Sequence, residues 1–363
     1  MWLRNDGIRD LNITGMWSCA QWGDTLLGLR ADQMSIAVGD SARIWMRFTP
    51  EHNVYYRLPV VVATDGPDGF VALQFEAQGR WSQSYYSSTE NKSWAQLKSA
   101  LTTKLNQGTT NLGYNGARDQ MYGNLDNVNG QVTCIYTGRV ATFNTRAGAT
   151  ANNFNCEHTF PQSLFSSAEP MKSDIHHLFP CDESANTQRS NNPFGIITGT
   201  PAWSVGGSKR LSGVFEPRDA HKGDAARAMM YFVTRFGDYS SFYAQQAAVL
   251  EAWHQQFPPD SADRARNQGI AALQNTRNPY VDYPQIMERL ISLAGSPQPN
   301  LAAQHWASED TLELELWSWS VGPMLRRRLV VTNPGSDDLI LGAASLSAPN
   351  VNLVAGGNAD TLK

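Results

Sequence analysis

Positive charge is what this chain is short of. Its 363 residues carry 29 Lys and Arg against 33 Asp and Glu, a formal net charge of -4. A domain that grips DNA as a repressor does has a high pI and clustered basic residues, so the bulk balance excludes that class. It does not exclude an enzyme with a local basic groove. Long apolar runs are missing too: none approaches the roughly 20 residues of a membrane-spanning helix. The N-terminus, MWLRNDGIRDLN, has no apolar core of the signal-peptide kind; the expectation is that a leader has been removed or that this is an internal piece of something larger. Cysteine is sparse. Cys19, Cys134, Cys156 and Cys181 form no CxxC pattern for zinc, and by themselves they permit three pairings. There is no HExxH, which sets zinc proteases aside. No helix is rich in Arg, Asn and Gln, the side chains that read base edges.

What is present suits two or three globular domains. From Met1 to about Gly79, MSIAVGDSARIWMRFTP and YYRLPVVVATDGPDGFVALQFEAQG read as strands separated by Gly-Asp and Asp-Gly turns. The character changes at Ser84. Ser93 is an expected N-cap, Trp94, Leu97, Leu101 and Leu105 follow at helical spacing, and Gly108 supplies the stop. A strand is expected over Gln131–Tyr136. Later, Ala225, Met229, Phe232, Val233 and Phe236 line a helix ending at Gly237, and Phe242, Val249, Leu250, Trp253 and Phe257 line another, stopped by Pro258 and Pro259. Ser261 is the expected cap of a third. These stripes are core positions. After Ile291, SLAGSPQPNLAAQ reads as a linker, and an alternating β pattern resumes near Thr311. The expected division is a β-rich segment over 1–82, a catalytic domain over 83–295, and a linker with the start of a C-terminal β module over 296–363.

The chemistry concentrates in Cys156–Gly195. The chain around Glu157 and His158 reads as extended and is ended by Pro161; Ile175–Pro180 reads as a second strand; Ser184 caps a short helix that puts Asn186 and Arg189 on one face. Glu and Asn offer hard oxygens, which favour magnesium, manganese or calcium over zinc. A histidine beside them can take a proton from an attacking water, and Arg189 can neutralise a phosphate. His176 and His177, adjacent on a strand, would point to opposite faces and cannot both hold one ion; they read as supporting residues, with Asp174 as an orienting partner. Lys209, Arg210, Arg218, Lys222 and Arg227 follow closely as a local basic surface for substrate. If the two strands pair antiparallel, Cys156 and Cys181 are expected to bridge across the hairpin, which implies an oxidising compartment.

Several blocks, in order, resemble the bacterial endonuclease I family of secreted or periplasmic nucleases. They are Tyr85-Tyr86-Ser87-Ser88 before a helix, Glu157-His158-Thr159-Phe160-Pro161-Gln162-Ser163, Asp174-Ile175-His176-His177-Leu178-Phe179-Pro180, and Asn186 with Arg189-Ser190-Asn191. Phe215-Glu216-Pro217-Arg218, Lys222-Gly223-Asp224 and Asn278-Pro279-Tyr280-Val281-Asp282 continue the series. The resemblance implies an α+β fold: a ββα-metal (His-metal finger) nuclease domain with a mainly helical surround, flanked here by β-sandwich-like segments. It implies His158 as general base, Glu157 and Asn186 as ligands of Mg2+, and cleavage of DNA and RNA with little sequence preference, leaving a 5′-phosphate. Some members place an arginine from the loop between the strands near the phosphate. Here Leu164–Met171 holds none, so phosphate stabilisation is expected from Arg189 or Lys172. The flanks resemble pieces of immunoglobulin-like repeats, through Val38-Gly39-Asp40-Ser41-Ala42-Arg43 and Leu329-Val330-Val331-Thr332-Asn333-Pro334, implying a cell-surface or larger-polypeptide setting. Two rival readings stand beside this one. A surface protein with an inactive nuclease-like domain is opposed by the intact Glu157, His158 and Asn186. A phosphodiesterase acting on a smaller substrate would use the same centre.

Overall fold

The chain divides into two units, Met1–Ser84 with Pro299–Lys363, and Tyr85–Gln298. The computed structural model describes residues 1–18, 26–67, 69–290 and 293, with four short strands beyond them. Those strands pair as Trp306–Ala307 with Val331–Thr332 and Leu339–Leu341 with Asp360–Leu362. Cys19 and the rest of the expected C-terminal β module lie outside the described residues.

In the first unit the strands are β1 (Trp2–Arg4), β2 (Leu11–Ser18), β3 (Leu27–Ala31), β4 (Ser35–Ile36), β5 (Ser41–Phe48), β6 (Tyr55–Thr64) and β7 (Phe70–Gln78). Alternation builds them. Ala42 and Ile44 of β5 are buried while Arg43 and Trp45 are exposed, the period of two of a half-buried strand. They form two antiparallel sheets, β1-β5-β3 and β4-β2-β6-β7. Leu3, Ala42 and Ile44 of one sheet meet Ile13, Ile36 and Val62 of the other in one apolar cluster.

The second unit mixes helices with short strands. It runs α1 (Trp94–Asn106), α2 (Gly113–Gln120), β8 (Asn127–Val128), β9 (Gln131–Thr133), β10 (Val140–Thr142), α3 (Arg146–Ala151), β11 (Phe154–His158), β12 (Leu178–Asp182), α4 (Glu183–Arg189), β13 (Trp203–Val205), β14 (Ser208–Leu211), β15 (Val214–Glu216), α5 (Asp219–Phe236), α6 (Ala247–Gln256), α7 (Ser261–Gln274) and α8 (Pro279–Asp282). The expected helical stripes are there. Leu97, Leu101 and Leu105 of α1 are buried, and α5 ends at Gly237, whose φ of 97° suits glycine.

Three local readings change. α7 is capped by Asp260 and not by Ser261: the Asp260 carboxylate takes the N–H groups of Ala262 and Asp263, and Asp263 answers on the Asp260 N–H, because a carboxylate at the position before the helix reaches both free donors. The strand expected to Tyr136 stops at Thr133. A turn takes over, with the Gly138 N–H donating to the Cys134 carbonyl at 2.9 Å. The second strand begins at Leu178; Ile175–His177 is one helical turn, capped by the Asp174 side chain on the His176 N–H.

α5 is the pillar of this unit. It is buried nearly all round, from His221 to Arg235, so it carries packing on every side. Phe232 stacks on Phe160 with ring centroids 4.1 Å apart and also packs on Phe165 and His177. That seats the loop between β11 and β12.

Candidate active site

β11 and β12 pair antiparallel in the register Asn155↔Cys181, Cys156↔Pro180, Glu157↔Phe179 and His158↔Leu178, and α4 follows at once. Because side chains alternate along a strand, Asn155 and Glu157 share one face of the hairpin with Cys181, while Cys156 and His158 share the other. This corrects the expected disulfide. Cys156 and Cys181 point to opposite faces and both are free thiols; the sulfur beside Cys181 is that of Cys134, 4.0 Å away. Burial pushes the Cys156 thiol up to about 12, so it is an inert core residue.

Glu157 is 3% exposed. Tyr136 donates its hydroxyl to Oε1 at 2.8 Å, and Arg189 Nε stands 3.6 Å from the same oxygen. Burial raises the carboxyl to about 7, against the opposing pull of Arg189 and Tyr136. Both neighbours address Oε1, so Oε2 is uncommitted among the described residues. Asn186 completes the pattern. Its Nδ2 donates to Asn155 Oδ1 at 2.8 Å and to the Cys156 carbonyl at 3.4 Å. Two acceptors on one side set the amide's orientation and leave Oδ1 as a free oxygen. Two uncommitted hard oxygens, one carboxylate and one amide, fit a divalent cation that keeps water in its shell. No cluster of three His, Cys, Asp or Glu among the described residues suits a closed metal cage.

His158 is the last residue of β11. Its Nε2 lies 3.0 Å from the Lys172 carbonyl oxygen. A carbonyl only accepts, so Nε2 carries the proton and Nδ1 keeps its lone pair. Burial, followed by the neighbouring His177, depresses the imidazole to about 3, so the ring is neutral at ordinary pH. Tyr114 of α2 stacks on it, centroids 5.5 Å apart at 29°, and His177 meets it edge-on at 5.5 Å.

The other expected site residues separate into groups. His177 braces His158 while its own Nε2 bonds the Met171 carbonyl at 2.7 Å. The His176 ring goes elsewhere, to the Thr276 carbonyl at 3.2 Å. Asp174 orients neither ring: it takes the His176 backbone N–H, Tyr231, Gln274 and Arg235, tying the loop to α5 and α7. Arg189 does not reach the surface. Its guanidinium, 0% exposed, donates to the carbonyls of Thr159, Ser190 and Asn192 and lies over Phe194 at 4.3 Å; it is a buried brace behind Glu157, not a phosphate contact. Arg227 is likewise buried, between Asp224 and Asp263, and Lys222 is held by Glu216 and Asp219. Carboxylates already neutralise both, so neither brings an unpaired charge toward a substrate. Lys172 is half-buried at the site, with Nζ 5.0 Å from the Tyr114 ring. Arg218 packs on Gly138, where an added β-carbon would meet its Nη1 at 1.9 Å.

A cleft of about 890 Å³ is lined by Arg139, Asp182, Glu183, Ser184, Thr187 and Trp203, among others. It contains neither Glu157 nor His158, and its carboxylates disfavour phosphate. Sequence reading missed Tyr136, Asn155, Tyr114 and Arg118. Asn155 sits next to the motif, and Tyr114 and Arg118 have the i, i+4 spacing of a helical pair; nothing in the sequence says that either helix or turn folds onto β11.

The sequence profile of the Endonuclease I family matches residues 93–285. An extracellular ribonuclease of Bacillus amyloliquefaciens is 30% identical over 227 residues, 56% of this chain and 76% of that protein. An extracellular ribonuclease of Bacillus subtilis is 31% identical over 222 residues, 55% of this chain and 76% of its own length. An extracellular deoxyribonuclease of Aeromonas hydrophila is 33% identical over 117 residues, 31% of this chain and 50% of that one.

Proposed function

Since the chain belongs to the endonuclease I family, we propose that it is a secreted, magnesium-dependent nuclease that hydrolyses DNA and RNA without sequence preference. The observation that carries this is the pairing of a histidine locked with Nδ1 free and two oxygens, Glu157 Oε2 and Asn186 Oδ1, that no other group engages among the described residues. Relatives named for ribonuclease and for deoxyribonuclease activity support both substrates. Their extracellular names support export, and no helix among the described residues is long and apolar enough to cross a membrane.

In this reading His158 Nδ1 takes the proton of the attacking water. Glu157 and Asn186 hold the cation, which when bound supplies positive charge to the scissile phosphate and the departing O3′. His158 is the last residue of β11 and follows Glu157 directly, so base and ligand stand at the same end of the hairpin. Tyr136 and Asn155 hold the two ligands in orientation. Catalysis belongs to 83–295. The first unit has no such constellation among its described residues and acts as an immunoglobulin-like spacer or anchor in a larger surface protein. The test is degradation of plasmid and of RNA with Mg2+, with EDTA, and with His158→Ala. Activity in wild type, abolished by EDTA and reduced about 10²–10⁴-fold in the folded variant, supports the reading. Unchanged activity in His158→Ala removes His158 from the mechanism, and an inactive wild type removes the nuclease.

A further inference from the structure

The nuclease reading needs a cation on the scissile phosphate, and the residue first expected there is buried. Arg189 is occupied by three carbonyls, and the chain between β11 and β12 contains no arginine. Positive charge reaches His158 from another element. The Arg118 guanidinium of α2 lies 4.2 Å from the Tyr114 ring centroid, Lys172 Nζ lies 5.0 Å from the same centroid, and that ring stacks on His158. Arg118 is half-buried. Its Nη2 donates to Asn115 at 2.7 Å, its Nε is buried without a partner, and no carboxylate pairs with it among the described residues. It is a charged fork, pre-aligned by an aromatic face and held beside the base.

We propose that Arg118, with Lys172 next to it, binds the scissile phosphate and neutralises the charge that develops on it. This rests on the nuclease reading and supplies the phosphate-binding group that reading lacks. A guanidinium can take two phosphate oxygens at once. Stacking on Tyr114 limits the freedom the side chain must lose to do so. The same two cations disfavour protonation of His158, reinforcing the effect of burial.

Single-turnover cleavage of a labelled oligonucleotide by Arg118→Ala and Arg118→Lys tests the assignment. Expected is a fall of about 10²–10³-fold for Arg118→Ala with an unchanged melting temperature, and a smaller fall for Arg118→Lys. Added guanidinium ion should restore part of the activity of Arg118→Ala and none of that of His158→Ala, which a structural role would not produce. A rate within about threefold of wild type, with His158→Ala inactive, overturns the assignment and leaves the nuclease standing. Oligonucleotide binding in EDTA gives a readout free of turnover: the log–log salt slope should fall by about one in Arg118→Ala. An unchanged slope overturns the proposal whether or not the chain cleaves.

A second inference is carried by sulfur positions alone. Cys134 and Cys181 are both buried, with Sγ atoms 4.0 Å apart, close enough for small side-chain movements to join them. We infer that they form a disulfide when the chain folds in an oxidising compartment. One cysteine thiolate attacks a low-molecular-weight disulfide such as oxidised glutathione and expels one thiolate. The second then loses its proton and attacks the mixed disulfide, expelling the other. Two protein thiols are oxidised and one external disulfide is reduced to two thiols. The N–H groups of Asp182 and Thr137 point at Cys134 Sγ, at 3.1 and 3.4 Å, which favours its thiolate as the attacker. The bond would staple the turn carrying Tyr136 to β12. Peptide mapping after refolding of the full chain with reduced and oxidised glutathione should find Cys134 linked to Cys181 and Cys156 unlinked. Cys134 and Cys181 both recovered as free thiols, or either one bridged to Cys19 or Cys156, overturns the inference.

Discussion

Replacing Asp174 by asparagine keeps the shape of the side chain and removes its charge. Oδ2 accepts from Arg235 Nη1 at 2.5 Å and from Tyr231 at 2.9 Å; Oδ1 accepts from the His176 N–H at 3.1 Å and from Gln274 at 3.3 Å. The Arg235 and Asp174 side chains are 3% and 0% exposed. In Asp174→Asn the Arg235 guanidinium stays buried with no carboxylate bonded to it among the described residues. Breaking one side of a buried pair costs about 3–5 kcal/mol. For a unit of this size each kcal/mol is about 2–4 °C of melting temperature, so the loss should be about 6–20 °C. The pH dependence has a definite sign. Burial alone would raise the Asp174 carboxyl, but Arg235, His176 and His177 outweigh it and hold it below its ordinary value. A depressed carboxyl contributes its stability fully above the unfolded value of about 4 and loses it as pH falls through the folded one. The gap between wild type and variant should therefore be wide at pH 7 and close only in acid. Thermal melts followed by near-ultraviolet circular dichroism from neutral to acid pH measure both effects. A shift under about 2 °C at pH 7, less than 1 kcal/mol by the same conversion, or a gap that does not shrink in acid, would refute the buried-pair argument.

Asn155→Ala removes the acceptor that orients Asn186, so the Mg2+ concentration for half-maximal cleavage should rise about 10–100-fold; an unchanged titration would mean that Asn186 orients itself. Gly138→Ala puts a β-carbon against Arg218 at a position with φ of 73°. It should cost about 1–3 kcal/mol in urea unfolding, and a neutral result would show that the turn has room. Arg189→Lys should lower the melting temperature more than Arg118→Lys does, because only the first loses buried bonds to three carbonyls; the reverse order would mean that those bonds do not brace the fold.

Local pattern carried much of this fold. The stripe of α1 and the stop at Gly237 follow from spacing and backbone freedom, and both stand where the sequence puts them. Glu157, His158 and Asn186 lie on β11 and α4, the elements read for them. What escaped was set by partners remote in sequence. Arg189 looked like a surface cation on a short helix, and only packing against Phe194 and Thr159 shows it buried. The Cys156–Cys181 pairing failed by a single register step, because residues across a hairpin share a face only when they are directly opposite or offset by an even number of positions. Asp174 was read as serving a neighbouring ring; its true partners lie 57 and 61 residues away, on α5.

The group that locks His158 belongs to the main chain of Lys172, not to its side chain. Position 172 therefore does two jobs that mutation separates. Any residue there other than one that breaks the turn still offers the carbonyl, so the tautomer of His158 is insulated from substitution. The side chain, meanwhile, lies over the Tyr114 ring, against which Arg118 also packs. A saturation library at this codon should thus vary the charge beside the proposed phosphate site, and with it one of the cations that disfavour protonation of His158, while the main-chain carbonyl keeps the ring in a single tautomer.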